Sequence, residues 1–166
     1  MKKWFVPLLA AALAMTGCGV MTHETREERA VREAREAQMV VDNLQRGDFT
    51  IRIDRMYPLR GASKSVTNYS VTVKDGELTS YLPFIGQAWR VPYGGGHALN
   101  FKADVGSYQV VQTRKDSYEV RLYVKTDEDE HLYLFTVFDN GRSSLEVQSC
   151  NRDRISYSGE MEFPSE

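Results

Sequence analysis

The sequence predicts a mainly β protein: an antiparallel meander that forms a small barrel or sandwich, with one N-terminal amphipathic α-helix. Two observations predict this class. From residue 48 to residue 163, apolar residues recur at every second position in short runs, which is the period of a strand with one buried face. Short separators rich in Asp, Asn and Gly, such as Asp75-Gly76, divide the runs as hairpin turns do. No low-complexity linker interrupts residues 48–163, so we expect one β domain there.

The alternating runs predict nine strands. Apolar residues separated by polar ones define the first of them, at Phe49, Ile51 and Ile53. The others are predicted at Tyr69–Val73, Leu78–Leu82, Leu99–Ala103, Ser107–Thr113, Tyr118–Lys125, Leu132–Phe138, Ser144–Cys150 and Arg154–Phe163.

A helix is predicted over residues 23–46. Thr25 followed by Glu28 is a capping-box pattern, and Gly47 is a typical residue just past a helix end. Small and apolar residues line one face, at Ala30, Ala34, Ala37, Val41 and Leu44. This face fits either a partner-binding stalk or a helix that docks on the β domain. We favour docking, because the apolar face widens toward Leu44.

Residues 1–17 are predicted to be a secretory signal peptide. Two lysines precede a short apolar run from Trp4 to Met15, which is below the length of about 20 residues that spans a bilayer. The run closes on Met15-Thr16-Gly17-Cys18, which resembles the lipobox of bacterial lipoproteins. The resemblance implies lipid on Cys18, and residues 18–22 then form a short tether.

The lipid on Cys18 is the expected membrane contact. Removal of residues 1–17 leaves 149 residues with 19 basic and 23 acidic side chains, which argues against nucleic acid as a partner. Gly19 after the cysteine favours the outer membrane, facing the periplasm. Cys150 is the only other cysteine, so with Cys18 lipidated we expect no intrachain disulfide.

The sequence shows no local signature of catalysis, and we expect no catalytic residue, metal or cofactor. Neither Gly-x-Ser-x-Gly nor Ser-x-x-Lys occurs. A zinc site of His97, His131 and Cys150 is supported only by residue type. The acidic run of residues 127–130 lacks the remaining features of a calcium loop, so we expect a solvated hairpin tip.

An aromatic segment interrupted by two prolines and four glycines spans residues 81–97. It supplies the candidate binding residues, which are Tyr81, Phe84, Trp89, Tyr93 and His97. Two interpretations remain open. The rings form a preorganised binding platform, or they fold over one end of the barrel and plug it. We favour the plug for the segment as a whole.

Four short motifs resemble a known family. Tyr81-Leu82-Pro83-Phe84-Ile85-Gly86 followed by Pro92-Tyr93-Gly94, together with Asn151-Arg152 and Ile155-Ser156-Tyr157-Ser158-Gly159, resemble the family called domain of unknown function 4251. Its members are envelope lipoproteins of Bacteroidota and their relatives. The resemblance covers residues 45–163. It implies a small all-β periplasmic domain behind a lipobox, and it implies no reaction.

These features favour a lipid-anchored periplasmic binding or interaction module. We expect it to recognise a protein or a small-molecule ligand through residues 81–97. An envelope hydrolase is the alternative, with His97 as its acid–base group and a site assembled only in the fold. A structural envelope protein that assembles through the charged helix is the third possibility.

Overall fold

The computed structural model describes residues 25–89 and 99–163. The predicted signal peptide, Cys18 and the tether to residue 22 lie outside the described residues. None of the helical residues described forms a stretch long and apolar enough to cross a bilayer.

In the described residues, one helix precedes eight strands. Their bounds are α1 Arg26–Arg46, β1 Phe49–Pro58, β2 Lys64–Lys74, β3 Glu77–Leu82, β4 Leu99–Arg114, β5 Ser117–Lys125, β6 Glu130–Phe138, β7 Arg142–Ser149 and β8 Ile155–Met161.

The eight strands form a closed antiparallel barrel. Each strand pairs with the next along the chain, and β8 pairs back with β1, where Ile51 lies opposite Met161. On its other side β1 pairs with β2, where Phe49 lies opposite Val73. The predicted mainly β class with one N-terminal helix is therefore confirmed, and the barrel is the form adopted.

Side chains fill the interior of the barrel, as expected for eight strands. The period-2 pattern places alternate residues inside, and the largest fully buried ones include Tyr133, Phe135, Ile51 and Leu122. The backbones of β1 and β8 approach closely at Gly159. A Cβ atom there would overlap the carbonyl oxygen of Arg52 and lie 2.9 Å from its carbon.

The prediction of nine strands is wrong by one. Residues 104–106, predicted to separate two strands, lie within β4. The register between β4 and β5 shifts between Val105 and Ser107, which marks a bulge rather than a turn. Gly106 is the residue that resembled a turn signal, and a Cβ atom added there would lie 3.4 Å from the carbonyl oxygen of Tyr123.

Helix α1 has the predicted caps. The Thr25 hydroxyl accepts from the amide of Glu28 at 3.2 Å, and the Glu28 carboxylate accepts from the amide of Thr25 at 2.8 Å. Gly47 ends the helix with φ of 65°. The capping box is thus confirmed, and Gly47 turns the chain directly into β1.

Only the C-terminal half of α1 docks on the barrel. Val40 and Leu44 are fully buried, and the Tyr108 hydroxyl of β4 donates to the carbonyl oxygen of Leu44. Burial raises the pKa of Tyr108 to about 12. Residues 26–35 are exposed on every side. The buried docking contacts of the helix therefore come from the half with larger apolar residues.

The barrel has two different ends. The helix end is covered by the C-terminal half of α1, beside the start of β1. The described parts of the connections between β1 and β2, β3 and β4, β5 and β6, and β7 and β8 lie at the loop end, at residues 59–63, 83–89, 126–129 and 150–154. Three of the predicted site residues, Tyr81, Phe84 and Trp89, lie at this loop end or at the strand end beside it.

Candidate functional site at the loop end

Residues 83–89 are held by backbone pairing with the connection between β7 and β8. The amide of Trp89 donates to the carbonyl of Asn151 at 2.8 Å, and the amide of Asp153 donates to the carbonyl of Gln87 at 2.9 Å. The Asp153 carboxylate accepts from the amide of Gln87 at 2.9 Å. Three hydrogen bonds over three residues fix the backbone on which Trp89 stands.

Phe84 belongs to the core. Its side chain is 7% exposed, and the guanidinium carbon of Arg152 lies 5.6 Å from the centre of its ring. A cation over an aromatic face is a favourable contact, more so when both groups are shielded from water. Phe84 therefore plugs the barrel and is not a surface available to a partner.

Trp89 faces solvent on the same loop. Its side chain is 67% exposed, and that of Ile85 is 39% exposed. An indole on a hydrogen-bonded backbone loses little conformational entropy when a partner covers it. Of the two rings described on this loop, Phe84 is therefore buried, as a plug would be, and Trp89 is exposed, as a binding platform would require.

Tyr81 lies on the outer face of β3, between the buried residues Ser80 and Leu82. Its ring is 48% exposed and stacks on Tyr69 of β2, with centroids 5.2 Å apart and planes at 26°. The stack holds Tyr81 in one orientation. The remaining predicted residues, Tyr93 and His97, lie outside the described residues.

Two buried tyrosines hold the two ends of the long connection between β3 and β4. The hydroxyl of Tyr157 donates to the carbonyl of Pro83 at 2.7 Å. The hydroxyl of Tyr133 donates to Ser80 at 2.9 Å, and Ser80 donates to the carbonyl of Leu99 at 2.7 Å. Burial raises the pKa of both phenols, so both donate as neutral groups. Sequence reasoning missed these anchors.

The acidic run at residues 127–130 is not wholly solvated, which corrects the expectation of a solvated tip. Asp127 and Glu128 are exposed, but Asp129 is buried. The Asp129 carboxylate accepts from the side-chain amide of Asn151 at 3.1 Å and from its backbone amide at 3.2 Å. This carboxylate therefore fixes the same connection that pairs with Trp89.

His131 lies inside the barrel beneath this connection. Its Nδ1 is 2.8 Å from the hydroxyl of Ser149, and its ring stacks on Phe101 at 4.8 Å. Burial lowers the pKa of His131 from 6.5 to about 4. Asp129 opposes this shift, and Arg152 adds to it. The imidazole is therefore neutral near pH 7.

The three residues considered for a zinc site, His97, His131 and Cys150, are not all among the described residues. His97 lies outside the described residues, and Cys150 is an exposed thiol just after β7. In the described ranges, no three His, Cys, Asp or Glu side chains are grouped so that they could hold a metal ion. Chemically, the described loop end offers exposed apolar surface on a fixed backbone.

Comparison with known proteins supports the fold and the family. A crystal structure of a DUF4251 family protein from Bacteroides eggerthii DSM 20697 aligns with a TM-score of 0.61 at 14% sequence identity, covering 79% of this chain and 89% of that one. At that identity the likeness shows the fold alone. No curated protein is similar to this chain in sequence. The family described as Domain of unknown function (DUF4251) matches residues 31–161, so the chain belongs to that family, as its motifs suggested.

Proposed function

We propose that this chain is a lipid-anchored, non-catalytic interaction module of the cell envelope that binds a protein partner at its loop end. The observation that carries the proposal is the exposed Trp89 on a backbone fixed by hydrogen bonds to Asn151 and Asp153. Rigid exposed aromatics commonly dominate the binding energy of protein interfaces.

A protein partner fits better than a small apolar ligand. The ring of Phe84 is buried, and Tyr157, whose hydroxyl reaches the neighbouring Pro83, is also buried. A small ligand needs a concave site that covers most of its surface. Exposed apolar side chains on the surface instead favour contact with another folded surface.

Partner capture tests this proposal. A photoreactive amino acid at position 85 is expected to crosslink a partner in cells, and Trp89→Ala, alone or with Tyr93→Ala, should abolish the crosslink. The thermal midpoint of Trp89→Ala should stay within a few degrees of the parent, because the indole is mostly exposed. Phe138→Ala, an exposed aromatic at the helix end, is the control that retains the crosslink. Unfolding of Trp89→Ala would remove the basis of the proposal.

Anchoring rests on the sequence alone. The lipobox-like Met15-Thr16-Gly17-Cys18 supports lipid on Cys18 and, with Gly19, residence in the outer membrane facing the periplasm. Labelling with a tagged fatty acid should mark the parent chain and not Cys18→Ser. Incorporation into Cys18→Ser would contradict the anchor.

An envelope hydrolase is the second candidate, and one contact favours it. Ser149 and His131 are in hydrogen-bond contact at 2.8 Å, which is the distance of a nucleophile from its base. A base with a pKa of about 4 draws the Ser149 proton only weakly near neutral pH. Labelling by a fluorophosphonate that Ser149→Ala abolishes would support the hydrolase. Turnover lost on replacement of His97 would support its acid–base role.

A further inference from the structure

The loop end carries opposite charges on opposite sides. The β1–β2 hairpin has three exposed basic residues, Arg55, Arg60 and Lys64, and no acidic residue between positions 55 and 64. The β5–β6 turn has the exposed carboxylates of Asp127 and Glu128. We call these the basic hairpin and the acidic turn.

The strand order places the basic hairpin and the acidic turn on opposite sides of the same end of the barrel. Two strands separate them in each direction, β3 and β4 on one side and β7 and β8 on the other. Pairing shows that the end is shared: Pro58 at the end of β1 lies opposite Ile155 at the start of β8. In turn, Ser149 at the end of β7 lies opposite His131 at the start of β6.

Exposed apolar side chains accompany this charge pattern. Leu59 on the basic hairpin is 48% exposed, and Tyr57 before it is 43% exposed. Trp89 and Ile85 stand on the loop of the same end. Leu59 and Trp89 are large apolar groups, and soluble surfaces seldom expose several of them together without a contact to make.

We propose that a second copy of this chain docks on the loop end, loop end to loop end about a twofold axis. A twofold axis that is perpendicular both to the barrel axis and to the line from the basic hairpin to the acidic turn carries the basic hairpin of one copy onto the acidic turn of the other. The reverse contact forms at the same time. Both charge contacts are then attractive, and the apolar residues meet between them. The proposal rests on the proposed function, because it names the protein partner of that same surface.

Charge complementarity selects a second copy over an anionic membrane. A lipid headgroup layer would attract the basic hairpin but repel Asp127 and Glu128 on the other side of the same end. A second copy satisfies both. Exposed charge contacts of this kind contribute modest affinity and mainly set orientation, partner choice and salt dependence.

A charge-swap pair tests the inference. Sedimentation equilibrium of the full chain in detergent solution should show a monomer–dimer equilibrium. Arg60→Glu with Lys64→Glu should weaken dimerisation by more than about tenfold, because like charges then face each other at both contacts. Asp127→Lys with Glu128→Lys should do the same. An equimolar mixture of the two variants should regain a dimer within about threefold of the parent affinity, since both contacts become attractive again.

Arg114→Glu with Lys115→Glu is the matched control, because it makes the same change in charge at the exposed β4–β5 turn of the helix end. This variant should dimerise like the parent. Raising salt from about 0.1 M to about 1 M shortens the Debye length from about 10 Å to about 3 Å and should weaken the parent dimer.

Three results would overturn the inference: a parent that stays monomeric, a variant mixture that does not recover, or a monomer that floats with anionic vesicles through its basic hairpin. A monomer whose position 85 still crosslinks another protein in a Trp89-dependent manner would overturn the second copy alone and leave the proposed function standing.

Discussion

Acid should destabilise the barrel through His131, and the size of the effect follows from its burial. The imidazole is 3% exposed, and its pKa is lowered from 6.5 to about 4. The folded state therefore binds a proton at this ring less tightly than the unfolded chain does. The resulting loss in the free energy of unfolding is absent above pH 6.5, grows as the pH falls below that value, and is complete below about pH 4.

The greatest loss of stability is about 3 kcal/mol. A pKa difference of one corresponds to about 1.4 kcal/mol, and the pKa of His131 falls from 6.5 to about 4 on folding. That is a large part of the free energy of unfolding of typical domains, which is about 5–15 kcal/mol. His131→Phe should abolish this contribution, because a phenyl ring does not titrate and retains the stacking surface toward Phe101.

Urea unfolding of both proteins at a series of pH values from about 4 to about 8 measures the effect. The free energy of unfolding of the parent should fall relative to His131→Phe as the pH decreases. Carboxylates titrate in the same range, but they are common to both proteins and cancel in the difference. Ser149→Ala is the control: it should lose about 1 kcal/mol at every pH through its hydrogen bond and keep the pH dependence. Parallel curves for the parent and His131→Phe would refute the reasoning.

Four further substitutions test packing by urea unfolding. Gly159→Ala should cost at least about 3 kcal/mol, because its Cβ would overlap the backbone of Arg52. Gly106→Ala, whose Cβ meets nothing closer than 3.4 Å, should cost about 1 kcal/mol or less, and equal losses for the two would contradict this account. Phe84→Ala should lose about 3 to 5 kcal/mol as a buried plug, and an unchanged midpoint would place its ring in solvent. Leu44→Ala should lose about 2 to 5 kcal/mol by undocking α1, and no loss would show that the helix is not part of the folded unit.

Local patterns predicted most of the fold. Alternation of apolar residues identified the strands, and the Thr25–Glu28 pair identified the helix start. Each of these signals is formed by residues that are close together in sequence. The break predicted at Gly106 was wrong because a glycine in a bulge and a glycine in a turn look alike without the partner strand. Whether the sheet closed also depended on the pairing of β1 with β8, which are far apart in sequence.

The site was predictable as a segment and not residue by residue. Phe84 and Trp89 are both aromatic and five positions apart, and nothing local separates a buried ring from an exposed one. Their difference arises from the connection at residues 151–153, which lies more than sixty positions along the chain. The burial of Asp129 has the same origin, because its partner Asn151 is 22 residues away.

Closure of the barrel has a consequence for a protein that would crowd on a membrane surface. Each of the eight strands has a hydrogen-bonded neighbour on both sides along at least part of its length, so none of the described strands is an edge strand throughout. Edge strands are the usual starting point for runaway sheet growth between copies. Copies held at high local density would then meet mainly through side chains, and such contacts stay reversible.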